Sequence, residues 1–249
     1  AFGLDHGCRD PHELRGAIAP GKRADLLLLD DLTFAKAPHR VYAAGALVAQ
    51  DGTFVGEIAP EMVEVAALAD ELRASVKLPK LSLDVFDYAF KPGEAVIDVI
   101  PGMAITGMAR PESAEGLRRI MLIERHGRGV SLQAEGADGD GPAGLGLVGK
   151  HIGRGWVRGF TITGGAIAST IGHDSHNVCV VGDSAADMMA AVEAVGQGGH
   201  VLVRNGKVVA RIPLALGGLM SEGTAEDVAA QHDDFMVKAR AMGIEPPLD

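Results

Sequence analysis

The sequence predicts an α+β fold. Residues 1–56 read as a small all-β segment. Residues 57–249 read as an α+β domain whose helices pack on a mixed, mostly antiparallel sheet. Three observations lead there. Short apolar runs bounded by turn residues fill the first segment. Val201–Val203 and Val208–Ile212 flank Asn205-Gly206, a pair that supplies the two positive φ angles of a tight hairpin turn. Helical periodicity is confined to a few stretches set among strands of this kind.

In order along the chain, residues 1–15 are irregular, with a turn signal at Asp10-Pro11. The Pro20-Gly21 turn feeds Leu26–Leu29, a fully apolar run between charged residues and therefore expected to be a buried strand. Arg40–Tyr42 and Ala46–Ala49 are further short strands, and Asp51-Gly52 turns the chain into Thr53–Val55. So few strands cannot bury both faces, so this piece is expected to complete a sheet supplied elsewhere.

A domain boundary is expected near Glu57. From there to Lys77 apolar residues recur at helical spacing after Pro60-Glu61, and Pro79 stops the helix. Val85–Ile100 carries β-type residues around Lys91-Pro92-Gly93, with Ala95–Ile100 as a strand. Leu117–Glu124 is another strand, closed by Glu124-Arg125-His126-Gly127. Residues 131–147 are rich in Gly, Ala and Asp without periodicity and read as a mobile surface loop. Asp138 and Asp140 there do not match a Ca²⁺-loop pattern. Lys150–Phe160, with its three glycines, fits either a ligand approached backbone-first or a twisted loop. GxxxxGK[ST] occurs nowhere, so a phosphate-binding loop of that type is unsupported. Val178–Val181 is a strand. Asp183-Ser184 then caps a helix from Ala185 to Val195, and Gly198-Gly199 ends it. Thr224 starts the last helix, which runs to about Met242 and stops at Gly243.

Composition narrows the function. The 249 residues carry a net charge of −10 and a pI near 5.3. An acidic chain without a basic stripe argues against nucleic-acid or anionic-membrane partners. No apolar run approaches the ~20 residues of a membrane span. Cys8 and Cys179 form no CxxC pair, so a reducing cytoplasm is the expected setting. Chemistry concentrates in one stretch, Gly164–Asn177. Its end, His173, Asp174, Ser175, His176 and Asn177, sits between two β-type segments. Loops held by a rigid sheet are where binding and catalysis gather. The same residue types also favour turns that serve only the fold, and that reading stays open. His126, just past a strand end, faces the same two readings. His173 and His176, three apart, are a weak pattern for an independent metal site.

Two stretches carry a family resemblance. GAIAPGKRADLLLLDD resembles the segment that follows the barrel in many amidohydrolases and completes a small β-sandwich. KHIGRGWVRGF, GGAIASTIGHDSHNVCVVG and VLVRNGKVVARIPLALGGLMS resemble the C-terminal domain of bacterial adenine deaminases. The resemblance implies conversion of adenine and water to hypoxanthine and ammonia. It implies a divalent metal (Mn or Fe, dinuclear) held by an upstream barrel, adenine as substrate, and a homo-oligomer. None of the nine histidines forms an HxH pair, so the chain resembles the last part of such an enzyme without the metal-binding barrel. On that reading His173, Asp174 and His176 are the catalytic candidates. Ser175, Asn177, His126 and Glu124 are the substrate-binding candidates, and no metal ligand is assigned. The alternative is a non-catalytic accessory or oligomerisation domain in which the polar loop is structural.

Overall fold

The computed structural model describes residues 16–33, 36–57, 66–100, 105–128, 151–172 and 175–244. The expectations for residues 1–15, for the helix start at Pro60, for residues 131–147 and for His173 and Asp174 lie outside them. The chain divides into two compact units, residues 1–64 and 65–249.

The first unit is a four-stranded antiparallel meander: β1 (Leu26–Leu28), β2 (Arg40–Ala43), β3 (Ala46–Gln50) and β4 (Thr53–Phe54). Ala44 and Gly45 both have positive φ, which makes the tight turn between β2 and β3. The carboxylate of Asp25 accepts from the Ala44 N–H at 2.7 Å and fixes that turn against the start of β1. The expectation of a buried first strand needs correction. Leu27 and Leu28 are exposed, because no second layer among the described residues of this unit covers them.

The second unit is built on an eight-stranded sheet. Its strands are β5 (Val96–Val99), β6 (Thr106–Ala109), β7 (Leu117–Ile123), β8 (Ile152–Arg158), β9 (Ala166–Ser169), β10 (Val178–Gly182), β11 (Gly199–Arg204) and β12 (Lys207–Pro213). The spatial order is β12-β11-β9-β10-β7-β8-β5-β6. Every pairing is antiparallel except β5 with β8, where Asp98 and Arg158 meet in a two-pronged ion pair at 2.8 Å. The fold is thus α+β with a mixed, mostly antiparallel sheet. The described helices are α1 (Ala66–Arg73), α2 (Leu83–Phe86), α3 (Ala185–Val195) and α4 (Ala225–Ala241). No helix among the described residues is long and apolar enough to cross a membrane.

Alternation along the strands explains the two cores. Met121, Ile123, Val178, Val180, Val201 and Val203 turn to one face and meet Met188, Ala191, Val192 and Val195 of α3, with Phe86 of α2. Ile167, Val181, Leu202 and Ile212 turn to the other and meet Phe235, Met236 and Ala239 of α4. Each large apolar side chain so buried contributes about 1.5–3 kcal/mol. Local chemistry sets the helix starts. Ser184 accepts from the Asp187 N–H, and Thr224 with Asp227 forms a reciprocal capping box.

Four local readings differ from expectation. Leu83–Phe86 is a helical turn, not a strand. Burial of Val85 and Phe86 against α3 overrides their β-type character. The helix expected to reach Lys77 ends at Arg73, where Arg73 pairs with Asp70 and Glu222, and Lys77 instead donates to the Arg125 carbonyl at 2.8 Å in an extended bridge. Strand β6 had no legible signal. The Gly-rich run is not a twisted loop: residues 152–158 form an interior strand, with Gly153 and Gly155 on one face and Ile152 and Trp156 buried on the other.

Candidate functional site

At one end of the eight-stranded sheet three segments converge: the β9–β10 connection, the turn after β7, and the bend at Leu216–Met220. Each is held by its own backbone chemistry. The hairpin of β9 and β10 is pinned at its far end, where the carboxylate of Asp183 accepts from the N–H groups of Gly164 (2.6 Å) and Gly165 (3.0 Å). Gly165 is required there, since a Cβ would lie 2.2 Å from the Val203 carbonyl oxygen. At the near end Thr170 is fully buried. Its hydroxyl accepts from the Gly199 N–H at 2.8 Å and donates to the Gly218 carbonyl at 2.5 Å.

Arg125 joins the three segments. It is 3% exposed. Its Nε donates to the His176 carbonyl and its Nη1 to the Gly217 carbonyl at 2.8 Å. Burial pushes the guanidinium below its ordinary pKa, although an arginine so placed keeps its charge at neutral pH. Gly218 lies against it with φ +70, where a Cβ would come 2.3 Å from Nη1. His176 itself has φ +49, a left-handed conformation uncommon outside glycine, and its N–H closes a turn onto the Gly172 carbonyl at 2.9 Å. The Arg125 clamp is what holds that conformation.

The side chains then divide. Glu124, 9% exposed, accepts from the N–H groups of His126 (2.6 Å) and Arg128 (3.0 Å), so its carboxylate shapes the turn after β7. His126 is exposed. Ser175 is exposed, and its hydroxyl accepts a 3.4 Å bond from the Asn177 N–H. His176 and Asn177 are half-buried. Nδ1 of His176 and Oδ1 of Asn177 are shielded from water and meet no hydrogen-bond partner among the described residues. Buried polar atoms of this sort are uncommon and call for an explanation.

Asn177 and Glu124 line a cleft of about 320 Å³, together with His151, Arg128, Leu122 and Gly153. His126, Ser175 and His176 are not among its walls. His151 and Arg125 were not singled out from the sequence. His151 reaches the cleft because β7 and β8 pair, with Ile123 opposite Ile152, and its carbonyl accepts from the Glu124 N–H at 2.9 Å. Among the described residues no group of three or more His, Cys, Asp or Glu is placed to hold a metal ion, so they do not fit the dinuclear centre that the resemblance implies. What the cleft offers instead is acceptors, an imidazole and a guanidinium around an apolar floor. Those groups can recognise a small polar heterocycle.

Residues 148–248 match the adenine deaminase C-terminal domain family. Over 98% of its length the chain is 37% identical to the adenine deaminase of Gluconobacter oxydans (strain 621H), of which it covers 39%. It is 33% identical, over 99% of its length, to the adenine deaminase of Desulforamulus reducens, again covering 39% of that protein. It is 37% identical, over 90% of its length, to that of Nitratidesulfovibrio vulgaris (strain Hildenborough), covering 36%. The chain therefore spans less than two fifths of the curated relatives it matches.

Proposed function

Through residues 148–248 the chain belongs to the adenine deaminase C-terminal domain family, and from that premise we propose that it supplies substrate recognition to an adenine deaminase. In the reaction water adds to C6 of adenine, the bond from C6 to the exocyclic nitrogen breaks, and ammonia leaves with hypoxanthine as product. Water activation near neutral pH is metal chemistry in enzymes of this sort. It is assigned here to polypeptide outside this chain.

The observation that carries the reading is the unpartnered Oδ1 of Asn177 beside the cleft. A buried acceptor left without a donor costs about 1–3 kcal/mol, and a purine N–H restores the bond. Adenine presents such donors at its exocyclic amine and at N9, with ring nitrogens as acceptors. In this reading Asn177 accepts from the purine edge, the imidazole of His151 exchanges a hydrogen bond with it, and His176, outside the cleft walls, positions Asn177. Glu124 keeps the wall in shape. The cleft volume lies at the lower end of the range for small-molecule sites. His173 and Asp174 remain the proposed acid–base groups of the loop. His126 and Ser175, both exposed, are assigned to the rim.

The test is a chimera in which this chain replaces the matched region of the Gluconobacter oxydans enzyme. Asn177→Ala is expected to lower kcat/KM for adenine by about tenfold or more, the equivalent of one hydrogen bond to substrate, and His176→Ala to lower it by disturbing the turn that presents Asn177. Unchanged kcat/KM in both variants would remove the loop from the site.

A further inference from the structure

An antiparallel sheet with one solvated face turns polar side chains toward the water. One half of the eight-stranded sheet does the opposite. On the face that carries α4 over β9, β11 and β12, the side chains continuing across β10, β7, β5 and β6 are Cys179, Ile120, Leu122, Ile97 and Met108. They surround a shallow concavity of about 560 Å³. Ile97 and Leu122 are each 41% exposed and Met108 70%. In the ladders Gly153 stands beside Leu122, and Gly155 beside Ile120, so both glycines lie in the floor.

The glycines are a second, independent observation. A glycine inside a strand weakens it, and where neither turn nor packing requires one it often marks the close approach of a ligand or another backbone. Neither Gly153 nor Gly155 has a positive φ. A Cβ at either would meet its nearest neighbour only at 3.9 Å. Nothing among the described residues asks for the absence of a side chain at these two places. Leu122 and Gly153 also belong to the walls of the polar cleft, so whatever seats on the face abuts the cleft.

We propose that this apolar face is the seat of the polypeptide that lies outside the match in the Gluconobacter oxydans enzyme, with an apolar segment of it passing directly over Gly153 and Gly155. The chain covers 39% of the Gluconobacter oxydans relative, so most of that protein lies outside the match and is available to cover this face. The proposal rests on the reading above for the identity of the occupant alone. Seated there, the segment closes one side of the cleft that Asn177 lines.

Hydroxyl-radical footprinting without adenine tests this, comparing the isolated chain with the chimera described above. Oxidation of Met108 is expected to fall by about fivefold or more in the chimera, as for a residue moved from surface to interface core. Gly155→Val should leave the urea midpoint of the isolated chain unchanged or raise it, and abolish the protection of Met108 in the chimera. Equal Met108 oxidation in both proteins overturns the proposal. So does a Gly155→Val chain that no longer folds, because the floor would then be filled from within. Sedimentation showing the isolated chain as a dimer with Met108 protected would give the face to a second copy, and also overturns it. Failure of the footprint alongside a damaged Asn177→Ala enzyme would sink the seat and leave the purine reading standing. Success of the footprint with an unimpaired Asn177→Ala enzyme would do the reverse.

Discussion

Arg125 carries more of the site than any residue picked out for its chemistry. It satisfies carbonyls of His176 and Gly217 from a buried position, and no other cation among the described residues bonds to both. Arg125→Met is therefore expected to leave two carbonyls without their donor and to cost about 2–4 kcal/mol, read as a lowered urea midpoint. Arg125→Lys should recover only part of that, because a single ammonium lacks the planar fork that reaches two acceptors. A variant as stable as the parent would mean the clamp is dispensable. Asn177 was legible in the sequence as one member of a polar cluster. Its unpartnered Oδ1 was not, since an orphan acceptor is defined by what surrounds it.

At the scale of elements, the hairpin of β9 and β10 delivers the loop and depends on close backbone approach. A Cβ at Gly165 would sit 2.2 Å from the Val203 carbonyl oxygen and 2.3 Å from Cε of Met242. Gly165→Ala should destabilise the fold by about 1–3 kcal/mol, as overpacking does, measurable by urea denaturation. Helix α4 docks through Phe235, whose ring meets the edge of His200 on β11. Burial, and secondarily the charge of His232, hold His200 below its ordinary pKa of 6.5. Because the folded form resists the proton that the unfolded chain accepts, this contribution to stability is intact above the unfolded value. It is lost as pH falls from there through the lower folded one. A series of urea midpoints from about pH 8 to about pH 5 should decline less steeply in His200→Asn than in the parent. Parallel curves would sink that assignment. The hairpin of β11 and β12 and helices α3 and α4 were readable in advance, because Asn-Gly turns and Ser/Thr caps act within a few residues. Strand β8 was not, because its glycines obscured the alternation of Ile152 and Trp156.

For the molecule as a whole, the proposed function predicts a division of labour. The purified chain given adenine and Mn²⁺ should release no ammonia above the buffer control, while the chimera should; brisk turnover by the chain alone would refute the proposed function. The sequence by itself determined the α+β class, the position of the polar loop between two strands and the family resemblance. All of these rest on turn chemistry, capping and apolar spacing over short distances. Only the tertiary structure decided that β8 lies between β7 and β5, that His151 and Glu124 share a cleft with Asn177, and that Arg125 holds His176 in a left-handed turn. Those outcomes depend on which strands pair and which carbonyls are left over once they have paired, and no local run of residues encodes either.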